Sequence, residues 1–313
     1  MDIRHTALAA ILGLALAACG TATDTDPADT AETAGDTGME ASEAAAPAGE
    51  TSEEAAHGSL EWAMAGDWRS DDDRARDTAR NPAETLAFLE VDPADKVVEL
   101  WPGGGWYTRI LAPYLAVGGG QLVAAGWDPA AFEAERRTRI EERNTAFQEA
   151  FSDQDLYGDI EFTVFSANSP ALTEPGSADV VLTFRNLHNW MSGGYADKFY
   201  EDAFEALKPG GILGVVEHRL PSTMEQDPTA SSGYVHEDFV KAAAERAGFE
   251  FVASSEINAN PADTADHPFG VWTLPPVSRT SDRDGNTPEG FDAAAYEAIG
   301  ESDRMTLKFR KPE

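Results

Sequence analysis

The stretch Val97-Val98-Glu99-Leu100-Trp101-Pro102-Gly103-Gly104-Gly105-Trp106-Tyr107-Thr108 limits what this chain can fold into more than any other. Two β-branched residues lead into a carboxylate, a glycine-rich turn follows, and a helical pattern begins at Trp106. Strand, glycine loop and helix in that order make the corner at which open α/β sheets hold nucleotide-like ligands. Gly103, Gly104 and Gly105 let a ligand approach the backbone closely and permit positive φ. Glu99 stands before the glycines, where a carboxylate repels a phosphate and welcomes an amine. Two phosphate-binding alternatives fail on the same residues. A P-loop needs Gly-Lys-Ser/Thr after the loop, and a dinucleotide fingerprint read from Gly103 meets Thr108 where its last glycine belongs.

Downstream, strand and helix patterns alternate. Strands are expected over 96–100, 121–125, 160–165, 179–184, 212–217, 249–255 and 305–309, with helices over 106–115, 130–151, 195–207 and 237–247. The run Asp179-Val180-Val181-Leu182-Thr183-Phe184 is apolar on both faces, as a central parallel strand is. Residues 71–89 read as helical, with Pro82 opening a second helical piece and Arg74, Asp77 and Arg80 near one face, either a solvated salt-bridged surface or a lid. Such alternation predicts a doubly wound, mostly parallel sheet with helices on both faces.

The glycine corner resembles motif I of class I S-adenosylmethionine-dependent methyltransferases, an acid–x–Gly–x–Gly–x–Gly pattern. Glu99 matches the acid, Gly103 and Gly105 match the second and third glycines, and Trp101 stands where the first is usual. In the family's order follow Gly176-Ser177-Ala178-Asp179-Val180-Val181-Leu182, Ala206-Leu207-Lys208-Pro209-Gly210-Gly211 and Ala247-Gly248-Phe249. The resemblance covers roughly residues 82–309. With Asn186-Leu187-His188-Asn189-Trp190 and the terminal Leu307-Lys308-Phe309-Arg310-Lys311-Pro312, the whole is similar to a group of exported bacterial methyltransferases. It implies a seven-stranded sheet with an antiparallel last strand. It also implies S-adenosylmethionine as cofactor, and methyl transfer to a small-molecule acceptor by in-line displacement.

The resemblance assigns residues as well. Glu99 would meet the donor's amine, and Gly103, Gly104 and Gly105 its backbone-facing side. The ribose acid is expected at Gly126, so Asp128, two residues on, is the stand-in; Asn168 would meet the adenine. Trp101 and Tyr107, with Trp106 and Trp127, are core, pocket wall, or a ring face for the sulfonium. Residues after the fourth strand face the methyl group in this fold. There His188 would be a base, Asn186 (or Asn189) would orient the acceptor and Arg185 would receive a carboxylate. His218 follows the fifth strand, and His236 is a weaker candidate. No Cys, His, Asp or Glu set shows metal-ligand spacing, so no metal is predicted. No Gly-x-Ser-x-Gly elbow supports a serine hydrolase.

A formal net charge of -33 disfavours nucleic acid as a partner. Residues 6–18 are apolar, too few to span a bilayer, and end in Leu16-Ala17-Ala18-Cys19, which resembles a bacterial lipobox. Cys19 is the only cysteine. Residues 1–19 thus read as a lipoprotein signal and 20–58 as a disordered acidic tether without Lys or Arg. Residues 59–313 read as the folded domain, with 256–304 as a Pro-, Asp- and Gly-rich insertion that serves as a lid, a specificity loop or a passive surface excursion. The expected address is the periplasmic side of a bacterial membrane, touched only through the lipid. A non-catalytic ligand-binding lipoprotein on the same fold is the alternative. Growth with radioactive fatty acid is expected to label Cys19; an unlabelled chain would remove the anchor.

Overall fold

The computed structural model describes residues 55–313; the lipobox with Cys19 and residues 20–54 of the acidic segment lie outside the described residues. Four short helices open the fold: α1 (Leu60–Ala65), α2 (Asp71–Ala75), α3 (Asp77–Arg80) and α4 (Pro82–Phe88). Then come β1 (Lys96–Leu100), α5 (Thr108–Gly118), β2 (Gln121–Trp127), α6 (Ala134–Ala150), α7 (Gln154–Tyr157), β3 (Glu161–Phe165) and β4 (Ala178–Phe184). The chain continues with α8 (Leu187–Ser192), α9 (Ala196–Ala206), β5 (Leu207–His218), α10 (Glu237–Arg246), β6 (Glu250–Ser255), β7 (Pro268–Val271), α11 (Ala293–Ile299) and β8 (Arg304–Arg310).

Seven strands form one sheet in the order β3-β2-β1-β4-β5-β8-β6. Neighbours from β3 to β5 pair in parallel, and β8 runs antiparallel to both β5 and β6. The expected sheet, mostly parallel with an antiparallel last strand, is therefore observed. Its centre is apolar on both faces: Val97, Val98, Val181, Leu182, Leu213 and Val215 are buried. That burial explains why these strands read as unbroken apolar runs. On one face α5 buries Ile110, Leu111 and Leu115 and ends on Gly119, whose φ of 84° closes the helix in the left-handed region.

Three expected elements take a different form. Residues 71–89 divide at Pro82 as expected, with Asn81 at φ 41° between α3 and α4, and they divide once more at Arg76, between α2 and α3. The helix expected from 130 begins at Ala134, because Asp128 caps a short 3-10 turn over Pro129–Ala131 through the Ala130 N–H at 2.9 Å. The segment after β4, expected as a polar loop, is the helix α8, which buries Leu187, His188 and Trp190.

The 256–304 insertion is stitched to the domain. Asn258, buried, donates to Thr85 Oγ1 and Thr306 Oγ1 at 2.9 Å each. Glu301 is 9% exposed and accepts from Arg76 Nε at 2.9 Å and Arg80 Nε at 3.1 Å. Arg304 Nη1 lies 3.2 Å and Arg185 Nη1 3.9 Å from the same carboxylate. One acid thus joins α3 and the segment before it, the end of β4 and the start of β8. Removing the anion from buried guanidiniums leaves uncompensated charge. Glu301→Gln is expected to lower unfolding stability by about 3–5 kcal/mol in urea titration; a loss below about 1 kcal/mol, typical of a surface pair, would show the cluster to be dispensable.

Candidate functional site

In a parallel sheet the carboxyl ends of the strands share one edge, and ligands sit along it. Here that edge carries a cavity of about 270 Å³ beside the glycine corner. Pro102 and Gly103 close one end, Gly126 and Trp127 come from β2, and Phe147, Asn144 and Arg143 come from α6. α6 leaves this space because its side chains are almost all polar, with Ile140 alone fully buried. Gly103 has φ 61°, and a Cβ placed there would meet no atom within 4 Å. Gly105 differs: its Cβ would lie 2.4 Å from Phe151, so that glycine serves packing. The two glycines of one loop do separate jobs, approach at Gly103 and close packing at Gly105. Gly104, between them, does not line the cavity.

Trp101 stands next to Pro102 at the end of β1 and does not line the cavity. Its φ of 47° is left-handed, a conformation that costs a bulky residue of order 1–3 kcal/mol. Its indole Nε1 donates to the Phe165 carbonyl at the end of β3, 3.0 Å away. The ring lies 4.8 Å from that of Trp127 and 5.5 Å from that of Trp190 on α8. Asn186 fixes the neighbouring strand end: its Nδ2 donates to the carbonyls of Leu100 at 3.0 Å and Trp101 at 3.3 Å. Arg185 before it is also left-handed, at φ 63°. Two bulky left-handed residues thus end the adjacent strands β1 and β4, and the Asn186 amide holds them together. That use of the amide is structural, so Asn186 positions the loop.

Several predicted donor contacts point elsewhere. Glu99 is 2% exposed and accepts a hydrogen bond from Thr108 Oγ1 at 2.7 Å. Burial pushes its carboxyl up to about 7, against the smaller lowering by Thr108. Asp128 accepts from Ser166 Oγ at 2.8 Å and from the Ala130 N–H at 2.9 Å, outside the cavity lining. Asn168 is exposed, with its backbone N–H on Ser166 Oγ. Tyr107 is core: it stacks on Phe184 with centroids 3.6 Å apart, and burial raises its hydroxyl pKa.

Elsewhere on this edge the fold brings His188 and His218 together around Glu217, which the sequence pattern did not single out. Glu217 is fully buried at the end of β5. Its Oε2 accepts the Leu187 N–H at 2.6 Å, and its Oε1 accepts the His218 N–H at 2.8 Å. Oε1 also lies 3.1 Å from His188 Nδ1. His218 Nδ1 lies 2.6 Å from Ser302 Oγ, and the two imidazole rings are 5.4 Å apart. Burial, then His188, Arg185 and Arg304, hold His218 well below the usual histidine range, so it stays neutral. The signal in the sequence was a carboxylate ending an otherwise apolar strand, Ile212 to Val216, the same pattern that drew attention to Glu99. His236, by contrast, bonds the Pro221 carbonyl away from this group.

No family model matches the chain, and no curated protein does. Among solved structures the chain is similar to several at low identity. A SAM-dependent methyltransferase from Aquifex aeolicus is 17% identical, over 60% of this chain and 89% of that one, with a TM-score of 0.45. A TehB-like SAM-dependent methyltransferase from Corynebacterium glutamicum is 12% identical, over 75% and 86%, with a TM-score of 0.41. The [4+2]-cyclase SpnF is 15% identical, over 79% and 85%, with a TM-score of 0.47.

The Glu99 environment has a sign that can be measured. A carboxyl raised from 4.5 to about 7 in the fold binds its proton more tightly than in the unfolded chain. Stability is therefore greatest below the unfolded value, falls as pH rises from about 4.5 to 7, and is flat above. Glu99→Gln removes that fall, so the variant is expected to gain about 2–3 kcal/mol over the parent between pH 5 and pH 8. Thermal or urea unfolding at both values checks it, and a pH-independent difference would contradict it.

Proposed function

We propose that the protein is an S-adenosylmethionine-dependent methyltransferase whose acceptor is a small molecule. The observation that carries this reading is the open left-handed Gly103, which bounds a cavity at the carboxyl ends of β1 and β2. Flat apolar walls from Trp127, Phe147 and Phe162, with the polar edges of Asn144 and Arg143, suit a purine. About 270 Å³ is below the 300–1,000 Å³ of whole-ligand sites, so the cavity fits the adenosine end of such a donor. Pro102 and Gly103 would pass the rest over the loop toward Trp101. The aromatic face of Trp101 then meets the cationic end, where ring and cation attract.

When bound, the donor supplies an electrophilic methyl carbon on a good leaving group. What remains for the protein is alignment and proton removal. Asn186 fixes the end of β4 against the end of β1, which sets the distance between donor corner and acceptor side. His188, Glu217 and His218 make up the acceptor side, with Arg185 as the adjoining cation. Glu99 stands behind the loop and reaches the donor's amine only by exchanging its bond with Thr108. An export signal and a lipid on Cys19 would put this chemistry in the periplasm.

A second reading has its own observation. Trp101 spans the edge to the Phe165 carbonyl, and both predicted acids are turned away from the cavity. That arrangement suits a protein that holds a nucleoside-like ligand without transferring anything. Calorimetry separates the two readings. The chain is expected to bind both S-adenosylmethionine and S-adenosylhomocysteine. Gly103→Asn, which tolerates the left-handed backbone but projects a side chain into open space, should weaken both about 10-fold or more. His188→Ala should spare donor binding and lower transfer. Binding of neither compound would favour the second reading.

A further inference from the structure

His188, Glu217 and His218 are buried side by side where α8 packs against the end of β5. They are the one cluster of three His, Cys, Asp or Glu groups among the described residues whose ligand atoms converge, all within 4.8 Å of one another. We propose that these three residues bind one first-row divalent transition-metal ion, with coordination positions left open for an oxyanion-bearing ligand.

The ligands come from two elements, α8 and the end of β5, that the sheet brings together, and they stand 5%, 0% and 8% exposed. Two of the ligands have fixed outer partners: Glu217 is held by the backbone N–H groups of Leu187 and His218, and His218 Nδ1 is held by Ser302. Such outer partners are what orient metal-binding imidazoles and carboxylates. His188 is held against Glu217 itself, with Nδ1 3.1 Å from Oε1. The two rings are tilted by 47° and do not stack.

The donor set selects the ion. Two imidazole nitrogens and one carboxylate oxygen suit Zn²⁺, Fe²⁺ or Mn²⁺; magnesium and calcium favour all-oxygen shells. Three protein ligands leave the metal open, as in reactive sites, where structural zinc takes four. Charge then selects the outer ligand. Arg185, three residues before His188, shares the single carboxylate of Glu301 with Arg76, Arg80 and Arg304, so cations outnumber the anion there. A dication added beside them leaves positive charge in excess, which a carboxylate or other oxyanion on the open positions would balance. The metal site stands whether or not the chain binds a methyl donor.

The test uses the full-length protein, stripped with chelator and dialysed. Co²⁺ is added while its visible d–d absorption is followed, and Zn²⁺ is then titrated in competition with a chromophoric chelator. One equivalent per chain is expected, with a spectrum of four- or five-coordinate cobalt. Adding acetate or a small dicarboxylate should shift that spectrum. His188→Ala and His218→Ala should each weaken binding by about 100-fold or more, and Ser302→Ala, which keeps every ligand, by about 10-fold. His236→Ala should leave affinity unchanged. Circular dichroism of each variant shows whether it folds; if a ligand variant does not, Ser302→Ala carries the test. A parent chain that takes up neither ion, or metal affinity indifferent to all three substitutions, overturns the site. Calorimetry of the stripped protein with S-adenosylmethionine reports separately on the methyl-donor reading.

Discussion

The buried carboxylate of Glu301 is the interaction on which the upper edge of this molecule depends. It draws Arg76, Arg80, Arg185 and Arg304 to one point from three separate segments. Each of those guanidiniums would be costly to bury alone. Together they hold the helical N-terminal part, the end of β4 and the start of β8 in contact. That contact fixes Arg185, hence the loop into α8, and hence where His188 stands relative to β5. The insertion expected as a lid or surface excursion turns out to carry the acid at the centre of this arrangement.

Much of the fold could be read from residues alone. Parallel strands are buried on both sides, so Val97-Val98 and Val180-Val181-Leu182 announce themselves as apolar runs, and glycines mark the turns after them. What local pattern cannot show is pairing across distance. Nothing near Glu217 says that His188, 29 residues earlier, will lie beside it. The spacing rules for metal ligands look along the chain, whereas this group is assembled by the packing of α8 on the sheet. Helix breaks were legible only in part. Pro82 marks the start of α4, but nothing in the composition of residues 71–80 marks the break at Arg76 between α2 and α3.

The predicted donor residues separate by the same logic. Gly103 was legible because an open glycine at a strand end has few structural uses. Asp128 and Asn168 were placed by analogy with a pattern, and here both feed a local loop around Ser166. Glu99 has the right position in the chain but an inward carboxyl. At the place where a glycine is usual, Trp101 fills the crevice and is held there by two hydrogen-bonded partners, Phe165 and Asn186.

The insertion of β8 between β5 and β6 sets an order of assembly. β6 pairs with no other strand, so it stays unzipped until residues 304–310 have been synthesised. A nascent chain can therefore complete the parallel half on the ribosome and still present the bare rim of β5. Closure of the sheet comes last, through a contact between segments far apart in sequence, and such closures are slow and exposed to misassociation.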